Sequence, residues 1–298
     1  MRVFVTGASG HLGSALVPEL LKAGHQVVGL ARSDASAEAL VAAGAEVRRG
    51  DLDDLDGLRD AAAAADGVVH LAFKHDLMVT GDYAGAADAD LAAVRAMADG
   101  LAGSGKPFVG TSGTLLMAGL GRTGTEGDTL PGGPRVDTEN LVVALAERGI
   151  RTSVVRLTPT VHGPLDRQGF IPTVIAAART AGRSAYLGDG ANRWPAVHTL
   201  DAAHLYRLAL EKAPAGSRLH AVDDEGVPFR LIAETVGRHL GVPVESIPAH
   251  QAEAHFGWLA GAATTDNPAS SARTRELLDW TPVEPGLIAD LDLGHYFA

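Results

Sequence analysis

The run Val3-Phe4-Val5-Thr6-Gly7-Ala8-Ser9-Gly10-His11-Leu12-Gly13 decides the fold. Its first residues are apolar and Val-rich, which reads as a buried strand, and residues 12–21 continue with apolar positions at helical spacing. Gly7, Gly10 and Gly13 stand between the two. The order is therefore strand, glycine turn, helix, the context that a dinucleotide fingerprint requires. Each glycine has a task. Gly7 permits the sharp turn, Gly10 lets backbone N–H groups approach a pyrophosphate, and Gly13 lets helix and strand pack closely. Phosphates would sit at the positive end of the helix. The spacing is G-x-x-G-x-x-G rather than G-x-G-x-x-G. A glycine triplet alone also describes an ordinary turn, and the flanking strand and helix favour the nucleotide.

The rest of the chain sets the bounds. Its 298 residues suffice for one large domain, or one domain and a small cap. A hydrophobic content of 46% with 20% charged residues fits a globular protein. The net charge of −11 argues against nonspecific nucleic-acid binding and against anionic membranes. The chain has no cysteine, which removes disulfides, thiolate catalysis and cysteine-ligated metals. No apolar run reaches ~18 residues, the first strand begins near residue 2, and a cytoplasmic protein without membrane span or signal peptide is expected. A small-molecule substrate is the expected partner.

Strand and helix alternate beyond the fingerprint. Residues 27–31 form a second strand, with Ala31-Arg32-Ser33 at its tip. An acidic residue for a ribose hydroxyl is expected there, roughly 20 residues past the glycines. Arg32 with the Ser33 hydroxyl suits a 2′-phosphate instead, which favours NADP(H) over NAD(H); the alternative for Arg32 is a solvated surface residue. A helix over 36–43 and a strand over 45–49 follow. Asp51 at that strand's end can reach an adenine amine or cap the next helix, expected at 55–65. The strand at 67–71 ends in Ala72-Phe73, placed against the cofactor ribose. Residues 74–84 read as irregular and carry His75, Asp76 and Tyr83. A long helix over 85–102 and a strand at 106–110 lead to Thr111-Ser112-Gly113-Thr114. Successive strand–helix units predict an α/β, Rossmann-type, doubly wound parallel sheet. Residues 1–165 are expected to form the dinucleotide-binding domain. Residues 166–298 are expected to form a small substrate-binding cap interleaved with it.

These features resemble the short-chain dehydrogenase/reductase superfamily, in its extended or atypical branch of epimerase/dehydratase-like proteins. The residues carrying the likeness are Thr6 through Gly13, Asp51-Leu52, Leu71-Ala72 and Thr111-Ser112, then Val155-Arg156-Leu157-Thr158-Pro159-Thr160-Val161-His162-Gly163-Pro164, and residues 197–203. The resemblance implies cofactor contacts from Gly7, Ser9, Gly10, His11, Leu12, Gly13, Asp51, Leu52, Leu71, Ala72, Phe73, Thr111 and Thr158. It implies a Ser or Thr after the fifth strand, and dimers paired through two long helices. It also implies a Tyr-x-x-x-Lys pair on the next helix, where Tyr transfers the proton and Lys holds the ribose. This chain departs there. Aligned on Glu139 and a helix over 140–148, the Tyr position falls on Pro131 and the Lys position on Arg135. None of the four tyrosines has Lys four residues later. Proline has no proton to give, and arginine binds a ribose without shuttling protons.

Other proton donors must then serve. Ser112 can hydrogen-bond a carbonyl. His162, in the loop that lies over the nicotinamide in relatives, has a suitable titration range. Tyr83 and His75 can reach in from the loop after strand four. Thr114 is an alternative to Ser112, and Trp194, in a turn-rich loop at 188–195 expected to close over substrate, can stack on an aromatic ring. Each of these is equally an ordinary structural residue. His198 and Asp201 read as a strand end and a helix cap. No metal-binding spacing and no G-x-S-x-G elbow occurs. The expected activity is NADP(H)-dependent reduction of a carbonyl or imine-like group. A redox-silent NADP(H) sensor and a nucleotide-sugar epimerase or dehydratase are the alternatives.

Overall fold

The computed structural model describes residues 1–298, apart from the side chains of Met78 and Val79. Twelve strands run β1 (Arg2–Thr6), β2 (Gln26–Ala31), β3 (Glu46–Arg49), β4 (Gly67–His70), β5 (Pro107–Gly113), β6 (Arg151–Leu157), β7 (Thr160–His162), β8 (Ser184–Leu187), β9 (Arg193–His198), β10 (Ser217–Ala221), β11 (Asp224–Pro228) and β12 (Val244–Ile247). The helices between the first strands are α1 (His11–Lys22), α2 (Asp34–Ala42), α3 (Leu55–Ala64), α4 (His75–Val79), α5 (Tyr83–Leu101) and α6 (Val136–Ala144). Later come α7 (Phe170–Ala181), α8 (Thr199–Lys212), α9 (Phe229–Leu240), α10 (Ala252–Phe256), α11 (Ala260–Ala263), α12 (Ala272–Leu278) and α13 (Leu287–Asp292).

The central sheet has the order β10-β6-β5-β4-β1-β2-β3, with every neighbouring pair parallel. Its central strands β1, β4, β5 and β6 are buried on both faces because side chains alternate and helices cover each side, while the edge strand β3 is half-exposed. On β1, Val3 and Val5 enter one apolar cluster with α1 and α8, while Phe4 enters the other with α3 and α5. The chain leaves β1 toward β2 and β3, then crosses back to place β4 on the other side of β1. That reversal makes the crevice beyond the strand ends of β1 and β4 the place where ligands bind.

β10 and α8 come from the C-terminal part yet complete the central sheet and its cover. Most of the remaining C-terminal elements build a third apolar cluster around Ile171, Trp194, Phe229 and Leu287, while Leu278 of α12 joins the first. Two small sheets, β11-β9-β7 and β12-β8, join it. Two local expectations are corrected. Residues 75–79 form a short helix within the supposedly irregular 74–84. The turn-rich loop at 188–195 gives way to β9 at Arg193. No helix among the described residues is long and apolar enough to cross a membrane.

Candidate active site

The glycine turn is built as a phosphate cradle. Gly7 has φ 68°, and a Cβ there would lie 2.7 Å from the Ala72 nitrogen. A Cβ on Gly13 would lie 2.2 Å from the Gly7 carbonyl oxygen. Gly10 caps α1 without any side-chain hydrogen bond, so the first-turn N–H groups are left for an anion. Ser9 and Gly10 are exposed, His11 is half-buried and Leu12 is buried. His11 Nε2 contacts Thr199 Oγ1 at 2.8 Å, and Thr199 donates onward to the His162 carbonyl at 2.7 Å. Burial, with His162 and His198 nearby, pushes His11 down to about 4, so it is neutral at physiological pH. These residues fit a dinucleotide pyrophosphate.

At the tip of β2 the Arg32 side chain is 71% exposed and lies 3.6 Å from Asp76. Ser33 caps α2, its hydroxyl oxygen accepting from Ser36 N. The sheet register pairs Ala31 with Arg49. Arg49 donates to Ser33 O at 2.7 Å and to Asp34 at 2.6 Å, countering the one carboxylate next to Ser33. Sequence reasoning missed Arg49, although its place at the end of the neighbouring strand was a usable signal. The Asp51 carboxylate accepts the Asp53 and Asp54 N–H groups at 2.8 and 3.2 Å. The cap of α3 is Asp54, not Asp51. Leu52 is buried in the core.

A cavity of about 340 Å³ opens beyond β4 and β5. It is lined by Leu71, Phe73, His75, Tyr83, Thr111, Ser112, Gly113, Leu115, Leu116, Arg135 and Leu157. Ser112 is 4% exposed, and its Oγ has no hydrogen-bond partner of good geometry, with the Glu139 carboxylate alongside. A buried polar atom without a partner in a cavity wall suits a ligand oxygen. Tyr83 is 38% exposed, and its ring centroid lies 6.4 Å from that of Phe73. Burial raises its phenol above the ordinary value, while the Arg135 charge works the other way. Burial and Arg135 together hold His75 below its ordinary value. Thr111 Oγ1 donates to the His70 carbonyl at 2.7 Å and contacts the Tyr206 hydroxyl at 2.8 Å.

Arg135 enters this cavity from the start of α6. Pro131-Gly132-Gly133-Pro134 keeps the chain out of helix until Val136, so neither Pro131 nor Arg135 lies within a helix. Arg135 takes φ 66°, which costs a non-glycine residue about 1–3 kcal/mol and needs surrounding structure to hold it. Arg135 donates to Asp90 at 3.1 Å and to the Thr111 carbonyl at 3.0 Å, with its guanidinium 4.2 Å above the Phe73 ring. The helix behind it is anchored by Glu139, which takes hydrogen bonds from the fully buried Arg156 and from Arg218.

Four expected residues lie elsewhere. His162 is fully buried, with Nδ1 2.8 Å from Asp290 on α13 and its ring against His198. It does not line the cavity, because β7 hands it to the C-terminal helix instead. Trp194 is 0% exposed and packs on Phe229 with centroids 4.7 Å apart, its Nε1 donating to the Ala262 carbonyl. It is a core residue with no face for a substrate. Thr114 is buried and accepts from Asn267 at 3.3 Å, turned away from the cavity. The Thr158 hydroxyl is spent on the Thr160 carbonyl at 2.9 Å. His198 ends β9 and its ring accepts from Leu200 N, while Asp201 accepts the N–H groups of Val283 and Glu284. No group of three or more potential metal ligands occurs among the described residues.

Residues 3–222 match the model of the NAD dependent epimerase/dehydratase family. An uncharacterized protein of Schizosaccharomyces pombe is 44% identical over 299 residues, covering 100% of both chains. A 2-alkyl-3-oxoalkanoate reductase of Stenotrophomonas maltophilia is 30% identical over 267 residues, covering 82% of this chain and 77% of the relative. The dTDP-glucose 4,6-dehydratase DesIV of Streptomyces venezuelae, solved with NAD bound, superposes with a TM-score of 0.76 at 21% identity, covering 98% of this chain and 96% of that one. At that identity the likeness is one of fold. With its phosphate cradle and the cavity beside it, the chain belongs to the NAD dependent epimerase/dehydratase family and is an NAD(P)-dependent oxidoreductase of the short-chain dehydrogenase/reductase type.

Proposed function

We propose that this enzyme uses NADP(H) to reduce a carbonyl or imine-like group of a small, largely apolar molecule. The observation that carries the proposal is one cavity holding Ser112, Tyr83 and Arg135 together within a mostly aliphatic and aromatic wall. The reductase among the relatives supports a carbonyl substrate. When bound, the reduced nicotinamide supplies a hydride. The protein must then place an electrophilic carbon and manage one proton.

Ser112 offers its unpartnered hydroxyl to the substrate oxygen from its place near the end of β5. Tyr83 gives the proton. Its phenol carries a proton at neutral pH as any phenol does, and its partial exposure lets solvent restore the proton after each turnover. Arg135 takes the place of the usual Lys, holding a ribose hydroxyl and favouring the phenolate that Tyr83 leaves behind. Arg32, Ser33 and Arg49 hold the 2′-phosphate, which supports NADP(H) over NAD(H).

Purified protein with NADPH or NADH and a panel of ketones, aldehydes and cyclic imines tests this by loss of reduced-nicotinamide absorbance. Turnover that is faster with NADPH is expected. Tight NADPH binding with no turnover across the panel would contradict the reductase and leave the cofactor sensor.

A further inference from the structure

Asp90 is 2% exposed on α5 and does not line the cavity. Its carboxylate is divided between two partners. Oδ1 meets His70 Nε2 at 3.1 Å, and Oδ2 accepts from Arg135 Nη1 at 3.1 Å. Burial pushes the Asp90 carboxyl up, but the His70 hydrogen bond and the nearby Arg135 charge outweigh it and hold the group below its ordinary value. A carboxylate only accepts, so His70 Nε2 carries a proton. In the neutral imidazole Nδ1 is then left to accept the Thr6 hydroxyl at 2.6 Å. Thr6 Oγ1 in turn accepts the Ala72 N–H at 3.2 Å. That same nitrogen is the atom a Cβ on Gly7 would strike. The bonds run unbroken from the glycine turn to the guanidinium.

The geometry points to Asp90 as a positioning residue that fixes the Arg135 guanidinium in the cavity and ties its placement, through His70 and Thr6, to the turn that receives the cofactor. Two Arg135 N–H groups are spent on Asp90 and Thr111, and the face is covered by Phe73. The remaining three N–H groups are therefore aimed by the protein before any ligand arrives. A backbone at φ 66° is kept in place by the same contacts. What Arg135 touches when the cofactor is bound rests on the function proposed above; its fixation by Asp90 does not.

Asp90→Asn tests the idea. The amide oxygen can still accept from Arg135, but its NH2 then faces His70, forces the other tautomer and leaves the Thr6 hydroxyl without its acceptor. NADPH affinity is measured by cofactor fluorescence for the wild type, Asp90→Asn, Arg135→Ala and the double variant. Each single variant is expected to bind about tenfold more weakly. The double variant is expected to lose less affinity than the two single losses combined, since Asp90 acts largely through the guanidinium. Additive losses, or unchanged affinity in Asp90→Asn, would overturn the assignment. The NMR signal of the Arg135 Nη1–H that Asp90 accepts gives an independent reading in the cofactor-free protein: sharp and slow to exchange in the wild type, broadened in Asp90→Asn. An unchanged signal would overturn the assignment even where NADPH affinity falls. A wild type that binds no NADPH sinks the proposed function, and the NMR signal alone then decides on Asp90. Thr6→Val, which keeps the Asp90–Arg135 pair, is used where Asp90→Asn fails to fold. It is expected to broaden the same signal, and an unaltered signal would refute the coupling.

Discussion

His70 with Asp90, and His162 with Asp290, are two buried histidine–carboxylate pairs of nearly equal geometry, at 3.1 and 2.8 Å. They differ in what lies beyond the carboxylate. Asp90 hands its second oxygen to Arg135, whose guanidinium enters a cavity at the sheet's strand ends. Asp290 has His295 at 3.8 Å, and His162 faces His198. Asp166 and Tyr296 pack around this second pair, and Tyr296 accepts from Gly163 N at 2.9 Å and donates to Asp166 at 3.1 Å. One pair opens toward a cavity and the other closes the C-terminal segment onto the loop after β7. A buried histidine beside a carboxylate is therefore no sign of chemistry until its second neighbour is known.

The largest expected effect separates the two clusters by turnover. Tyr83→Phe removes the proposed proton donor of the open site and should lower kcat by about 10²–10⁴-fold while leaving NADPH affinity near that of the wild type. Steady-state kinetics with the responding substrate checks this. In the closed cluster, His162→Ala leaves Asp290 buried without its close partner and should cost about 3–5 kcal/mol of stability. His162→Gln, whose amide can still donate to Asp290, should recover much of that in denaturant unfolding. Turnover of the folded enzyme should survive in both.

A smaller effect sharpens the closed side further. Burial pushes Asp166 up to about 6, above its value in an unfolded chain. A raised folded value means that its contribution is complete below about pH 4 and is lost as pH rises through about 6. Asp166→Asn keeps an acceptor for Gly169 N and donates to Tyr296, so it should stabilise the protein at pH 7 by up to about 3 kcal/mol and flatten its stability profile between pH 4 and 6. Melting curves across that range measure it. The smallest change belongs to the cofactor tip. Arg32→Ala should weaken NADPH by about tenfold and leave NADH unaltered, because the proposed charge-assisted contact to the 2′-phosphate is lost.

The contrast also marks how far the sequence could be read. The glycine turn was legible because its constraints are local: three glycines, a strand before and a helix after. The strands expected at 27–31 and 67–71 lie within one residue of the observed bounds of β2 and β4. Arg135 was found by its spacing to Glu139. Its partner Asp90 was not, because the contact spans 45 residues and is made only when α5 packs beside α6. His162 was misplaced for the same reason, since Asp290 lies 128 residues further on. Trp194 was taken for a loop residue because Pro195 masks the alternation of β9 within a turn-rich stretch. Local pattern reveals the backbone of a site, whereas the partner that turns a buried polar group toward or away from a cavity is set by tertiary packing.

The most direct test follows the hydrogen. NADPH deuterated at its transferable position is incubated with the responding carbonyl substrate, and the product is examined by mass spectrometry. One deuterium on the former carbonyl carbon is expected, at a rate that collapses in Tyr83→Phe and persists in His162→Gln. Deuterium transfer unchanged in Tyr83→Phe and lost in His162→Gln would place the chemistry in the closed cluster and contradict the site described above.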